Sequence, residues 1–267
     1  MSKSYGINNR VHIETEMEHH VENVALRGYS IMRNVVSLDK AERLKEKLNN
    51  IYTVQINEVG KENLDKINEK NIVRTPLAYD PDFLDLITHP KVKEFTRKML
   101  GDNYILNLQN AVINLPNFEH HQSSWHRDLP YQNFVISSPL AVNAFYCLSP
   151  FNESTGGTVL LPFSHQMEYM PSKRFVEENL YHVQADTGDV ILFDSMVFHR
   201  AGKNVSNISR VGVNNMFTKP LISQQINLPQ FLDGAYSDDE DLNLLLGYKF
   251  EAPNSVLEYR KNRIIKS

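Results

Sequence analysis

The stretch "SWHRDLP" places a histidine and an aspartate, His126 and Asp128, two residues apart. In an extended chain, residues i and i+2 face the same way, so both side chains can reach one ion from one strand end. The pair alone is weak evidence: with ten His and fourteen Asp in the chain, His-x-Asp is expected by chance about half a time. A third ligand must come from another segment. His199 offers it, in "FDSMVFHRAG", 73 residues further on and inside the same strand-rich region. Two histidines and one carboxylate on one face of a metal leave open positions, the geometry that non-heme Fe(II) uses with O₂.

Such an iron needs electrons, and 2-oxoglutarate is the usual two-electron donor. Its keto acid would chelate the metal, and its distal carboxylate would need a buried cation. Arg210 follows His199 by 11 residues and opens the apolar run "SRVGVNNMF". A guanidinium grips a carboxylate through a planar fork and stays charged when desolvated. A buried arginine without an anion is costly, so this position itself suggests a partner.

These residues need strands to hold them, and the texture of the chain supplies strands from Tyr104 to about Lys219. The runs "YILNLQNAVINL", "LAVNAFYCLS", "GTVLLPFSH", "DVILFDS", "MVFHRAG" and "SRVGVNNMFT" are β-branched or aromatic, with Gly, Pro and Asn turns between them. Short strands without intervening helices predict an antiparallel sandwich or jelly roll rather than a parallel α/β sheet. Before residue 104, helical spacing dominates. Ser37 is placed to cap "LDKAERLKEKLNNIY", and "PKVKEFTRKML" ends at Gly101. Ahead of both, "RGYSIMRNVVS" reads as a strand that joins the sheet. The tail stretches "DDEDLNLLLGY" and "SVLEYRKNRII" read as helices. The fold expected is mainly β with flanking helices, in a single domain. Residues 1–103 form its N-terminal support, 104–220 its core and 221–267 a C-terminal extension, packed core or lid.

Length, 41% hydrophobic residues and 22% charged residues suit a globular chain with a sizeable core. A net charge of −4 gives no electrostatic reason to expect nucleic acid or an anionic membrane as partner. The one cysteine, Cys147, excludes intrachain disulfides and multi-cysteine metal sites, and in "AFYCL" it reads as a buried thiol. No apolar leader, spanning segment or peroxisomal Ser-Lys-Leu ending is visible, so a cytoplasmic protein is expected, as monomer or homodimer. The carboxylates of "SDDED" lack calcium-loop spacing and read as a solvated helix start.

Taken in order, these motifs resemble the phytanoyl-CoA dioxygenase family of Fe(II)/2-oxoglutarate oxygenases. "LRGYSIMRNVVSLDKAERLKEKL" is similar to the family's opening strand and helix, "WHRD" to its His-x-Asp, and "ESTGGTVLLPFSH" to its turn and Gly-rich strand. "GDVILFDSMVFHRAGKN" is similar to its distal-histidine segment, with Arg210 following. The resemblance implies a double-stranded β-helix with N-terminal helices. It also implies Fe(II) on His126, Asp128 and His199, 2-oxoglutarate on Arg210, and O₂ as co-substrate. The reaction implied is hydroxylation of an unactivated C–H bond, with release of succinate and CO₂. The carboxylate at Asp128 favours this over halogenation, where relatives carry a small residue.

Several further positions keep two readings. Gln109 falls where some relatives place a polar cofactor contact, or is a strand-edge amide. Asn204 contacts the cofactor or caps the Gly202-Lys203-Asn204 turn. Trp125 and Tyr131 line the substrate pocket or simply pack. His165 lies near the pocket as a packing or substrate-side residue, and His120 and His121 are rim or loop residues. Pro162-Phe163-Ser164-His165 replaces the family's Pro-Gly-Ser-His. "LPYQNF" after Asp128 also departs from the family's tryptophan-rich versions, so no family substrate is carried over. The absence of a basic cluster favours a small polar metabolite or biosynthetic intermediate over an acyl-CoA. The same iron site can serve desaturation, cyclisation or epimerisation; a non-catalytic metal-binding jelly roll and, third, a zinc hydrolase are the alternatives from other classes.

Overall fold

A computed structural model describes residues 11–118, 121–129, 132 and 134–265. Nine strands are found among them: β1 (Tyr29–Met32), β2 (Ile72–Arg74), β3 (Ile105–Asn114), β4 (Ala141–Cys147), β5 (Thr158–Leu160), β6 (Tyr181–His182), β7 (Val190–Asp194), β8 (His199–Ala201) and β9 (Arg210–Thr218). They form a six-stranded sheet in the order β1-β7-β4-β9-β3-β2 and a three-stranded sheet in the order β6-β5-β8, with every named pair antiparallel. This is the jelly-roll arrangement with flanking helices. Helices hold more residues than strands, but the strands build the cavity walls.

The long strands are buried on both faces because each face meets a different layer. On one side Val73, Ala111, Val142, Ala144, Val211 and Val213 pack against the helices. On the other, Ile72, Val112, Phe145, Ile191 and Phe193 face the smaller sheet. The helix Leu38–Val59 contributes Ala41, Leu44, Leu48 and Ile51, an apolar stripe at helical spacing, with Ser37 Oγ accepting from Lys40 N at its start. The helix Pro90–Leu100 runs as its sequence predicts and ends at Gly101 with φ 82°.

One helix had no sequence expectation. Glu16–Arg27 is opened by a reciprocal capping box between Thr15 and Glu18. Its last carbonyls are closed by Gly28, after which β1 enters the sheet beside β7.

The tail packs onto the core, and its Gln225 lines a cavity of the sheet. Leu228, Leu245 and Leu246 are buried in the same core as Leu106 and Phe217. Asp239 caps the helix Glu240–Leu245 and Asp241 pairs with Lys93, so the acidic run is a helix start. The last helix, Val256–Ile265, leaves Val256, Leu257 and Ile264 exposed. No helix among the described residues is long and apolar enough to cross a membrane.

Candidate functional site

The site begins where the chain before β4 joins the free edge of the smaller sheet. His126 N donates to His199 O (2.9 Å) and His199 N donates to His126 O (3.0 Å), a reciprocal bridge that puts the two histidines side by side. Asp128 N then donates to Ser195 O (3.1 Å), which carries the aspartate over the end of β7. Ring centroids of His126 and His199 are 4.3 Å apart. One ligand atom from each of His126, Asp128 and His199 lies within 4.8 Å of the others, a grouping that can hold a metal ion.

The backbone sets the tautomer of both rings. His126 Nδ1 lies 2.9 Å from Ser124 O, and His199 Nδ1 lies 3.0 Å from Val197 O, each two residues back in the chain. A carbonyl only accepts, so each Nδ1 carries the proton and each Nε2 presents a lone pair toward Asp128. Burial, reinforced by the neighbouring His126, pushes His199 down to about 4 against the pull of Asp128. It is neutral at physiological pH, the state a metal requires.

Asp128 is held from behind. Its Oδ2 accepts from Asn143 Nδ2 (2.7 Å) on β4 and Asn214 Nδ2 (3.0 Å) on β9, while Ser195 Oγ donates to Asn143 Oδ1. Oδ1 is left facing His199 Nε2 at 3.6 Å and His126 Nε2 at 4.0 Å. Asn143, Asn214 and Ser195 were not singled out from sequence. The available signal was a polar residue inside an otherwise apolar strand, as in "LAVNAFYC".

A cavity of about 370 Å³ opens over these three residues, with Phe145, Val112, Leu108 and Arg210 in its walls. Arg210 is 1% exposed. Its Nε donates to Gly156 O (3.2 Å), and its guanidinium lies 4.7 Å from the Phe151 ring centroid. Among the described residues no carboxylate pairs with it, and burial pushes it down to about 10, still cationic at neutral pH. Two glycines shape this end. Gly156 adopts φ 69° while presenting the carbonyl, and a Cβ on Gly212 would lie 2.6 Å from Phe145 and 2.8 Å from Phe151.

Other expected residues lie elsewhere. Gln109 is on the opposite face of β3, where its amide accepts from Leu77 N (3.0 Å) and donates to Phe83 O (3.0 Å) and Asn215 Oδ1 (2.9 Å). It ties the sheet to the helical layer, and it is not among the residues that line the cavity. Asn204 is fully buried and donates to Asn114 O (2.9 Å) and Ile208 O (2.8 Å), while accepting from Ser206. These contacts close the turn that follows β8.

The Arg200 guanidinium, which lines the cavity, lies 5.3 Å from the Trp125 ring centroid. His165 Nε2 lies 3.1 Å from Ala25 O, and the ring borders a separate cavity of about 410 Å³ beside Asp194. It is therefore outside the space over His126, Asp128 and His199. Phe163, in the glycine position of the family motif, has φ 67°. Cys147 is buried, and burial pushes its thiol up. His121 and Ser124 line the mouth of the ligand cavity, whereas Tyr131 and His120 lie outside the described residues.

Arg127 points away from the ligands between them. Its guanidinium donates to Met196 O (2.8 Å), Ser164 O (3.1 Å), Glu168 O (3.2 Å) and Met167 O, and stacks 3.8 Å from the Phe198 ring centroid. It pins the turn that leads into His199.

Residues 25–212 match the family model described as phytanoyl-CoA dioxygenase (PhyH). An uncharacterised protein of Mycobacterium tuberculosis is 30% identical over 241 residues, covering 87% of each chain. A protein of Aspergillus fumigatus named dioxygenase af480 is 27% identical over 134 residues, covering 48% of this chain and 41% of its own. Among solved structures, SnoN is described as a non-heme α-ketoglutarate-dependent epimerase from nogalamycin biosynthesis. It superposes with a TM-score of 0.57 at 15% identity, over 76% of this chain and 83% of its own.

Proposed function

The chain belongs to the phytanoyl-CoA dioxygenase family, and from that premise we propose that it is an Fe(II)- and 2-oxoglutarate-dependent dioxygenase that hydroxylates an unactivated C–H bond of a small polar metabolite. One observation carries the reading. Three convergent metal-ligand atoms and a buried arginine without a carboxylate partner among the described residues share one cavity. A site for a structural metal alone gives no reason to bury that arginine, because its desolvation is uncompensated until an anion arrives.

The residues fit the group they would hold. His126, Asp128 and His199 supply the two-histidine, one-carboxylate set suited to Fe(II), and Arg210 supplies the fork for the distal carboxylate of 2-oxoglutarate. Arg210 stands four residues from Asn214 on the same face of β9, about 13 Å along the strand at ~3.3 Å per residue. When bound, iron and 2-oxoglutarate together convert O₂ into the oxidant for the substrate, with succinate and CO₂ released.

The protein contributes position and exclusion. Asn143 and Asn214 hold Asp128 Oδ2, so Oδ1 is presented to the metal. The carbonyls of Ser124 and Val197 hold the imidazoles in the ligand tautomer. Leu108, Val112 and Phe145 keep water from the reacting carbon. The test is coupled turnover: Fe(II)-dependent consumption of 2-oxoglutarate with succinate formed, stimulated by a member of a small-metabolite library. Absence of 2-oxoglutarate consumption under every substrate would reject the reading.

A further inference from the structure

The floor of the cavity carries a polar row that the iron site does not use. Register pairs Asn214 on β9 with Asn110 on β3, and Asn110 with Arg74 on β2. Three polar side chains therefore stand side by side across the sheet, beginning at the residue that holds Asp128. Two strand spacings of ~4.8 Å put Arg74 about 10 Å from Asn214. All three line the same cavity as His126, Asp128 and His199, beside apolar Leu108, Val112 and Phe145, with Thr158, Arg200 and Arg210 also in its wall.

Each member is held in place. Gln55 Oε1 accepts from Arg74 N (3.0 Å) and Gln55 Nε2 donates to Arg74 O (2.6 Å). The guanidinium gives Nε (2.7 Å) and Nη2 to the Glu69 carboxylate, leaving Nη1 directed at the cavity rim. There Nη1 meets Gln225 Oε1 at 3.3 Å, and Asn110 Nδ2 meets the same oxygen at 2.9 Å. With its amide turned over, Asn110 instead accepts from Arg74 Nη1 at 2.6 Å. Gln225 comes from the tail, which is strapped to the bulge in β3. Gln225 N donates to Asn107 O (3.1 Å), and Asn107 Nδ2 donates to Ser223 O (2.8 Å). The bulge leaves Asn107 without a ladder partner and so free to receive the tail.

We propose that Asn110, Arg74 and Gln225 form the subsite that selects the primary substrate, and that it takes an uncharged hydrogen-bonding group such as a hydroxyl, amide or lactone carbonyl. The inference rests on the oxygenase reading above. Charge decides the class. Arg74 is neutralised by Glu69, so a second carboxylate would meet the Glu69 charge with little net attraction, whereas a neutral acceptor takes the Nη1 protons and either amide. The group and the oxidised carbon are then separated by no more than the row itself, about 10 Å. A site built from such groups rejects analogues that lack the matching oxygen, because its own polar atoms are left unpaired.

The experiment uses the full-length protein loaded anaerobically with Fe(II) and 2-oxoglutarate, whose visible charge-transfer absorption reports the loaded state. Small polyols, lactones and primary amides, each matched with its carboxylate and amine counterpart, are titrated while that absorption is followed. Neutral members should perturb it in preference to their charged counterparts. Gln225→Leu, at an exposed position, should weaken them about three- to tenfold, the equivalent of one hydrogen bond. Glu69→Gln should shift preference toward the carboxylates by releasing the Arg74 charge. The proposal is overturned by a wild-type preference for carboxylates, by no neutral member binding, or by unchanged affinities in both variants. No absorption band in the wild type would instead reject the oxygenase reading, and this inference with it.

Discussion

Asn143 Nδ2 lies 2.7 Å from Asp128 Oδ2, on the side of the carboxylate turned away from the two histidines. The contact divides the carboxylate: one oxygen is occupied by amides from β4 and β9, and the other faces His199 and His126. Ligand orientation in this site is therefore set by the larger sheet, although the histidines belong to the edge of the smaller one.

Asn143→Ala should weaken divalent-metal affinity about 10- to 100-fold, the usual consequence of losing a group that orients a ligand. Asn143→Asp should lower the melting temperature of the metal-free protein more than Asn143→Ala does, since it sets a second carboxylate against Asp128. Titration with Mn(II), alongside thermal melting, reads both effects. Unchanged affinity in Asn143→Ala would mean that Asp128 orients itself.

Gln109→Leu separates scaffolding from cofactor contact. The substitution strips partners from Leu77 N and Asn215 in a fully buried setting. It should cost about 2–4 kcal/mol of stability, since each buried group left unsatisfied costs ~1–3 kcal/mol. The 2-oxoglutarate requirement of the folded fraction should not move. A raised requirement without lost stability would return Gln109 to the cofactor.

Acid should destabilise the metal-free protein through its buried histidines. His199 is held down at about 4 against an ordinary value of 6.5, so the unfolded chain binds the proton more tightly than the folded one. Its share of stability is present above about pH 6.5 and is lost as pH falls toward 4. His20 and His89, also lowered by burial, act with the same sign. Melting temperature measured across this window should fall, and His199→Asn should flatten part of the fall. A profile identical in the variant would contradict the assignment to His199.

Truncation distinguishes the two expectations for the tail. Ending the chain at Pro220 removes Leu228, Leu245 and Leu246, each worth ~1.5–3 kcal/mol of burial. Set against a typical total stability of ~5–15 kcal/mol, that loss should leave the protein unfolded. Ending it after Glu251 removes only the exposed last helix and should leave the fold intact. A folded, cooperative Pro220 truncation would show that the tail is dispensable packing.

The legible parts of this protein are those where chemistry restricts residue type and order. A histidine and an aspartate at strand spacing, a histidine on a later strand and an arginine 11 residues on are visible in the sequence, and the structure brings all four to one cavity, as it builds β3, β4 and β9 from the long apolar runs. What could not be read depends on strand parity and pairing. "ILNLQNAVIN" has polar residues on both faces, so periodicity alone does not say whether Gln109 or Asn110 meets the cavity, and the bulge at Asn107 shifts the phase. Asn143 and Asn214 become partners only when β4 pairs with β9. The sequence signal of the helix at 16–27 is the capping box of Thr15 and Glu18.

The central claim is that the three ligands and Arg210 form one site for metal and 2-oxoglutarate. Anaerobic titration of the Fe(II)-loaded protein with 2-oxoglutarate tests it most directly. The wild type should bind saturably, and His199→Ala should lose metal affinity by an order of magnitude or more. Arg210→Lys should keep the metal but require about 10- to 150-fold more 2-oxoglutarate, the effect of losing a charge-assisted pair. Wild-type binding that is unchanged in Arg210→Lys, or no binding of 2-oxoglutarate at all, would contradict the account.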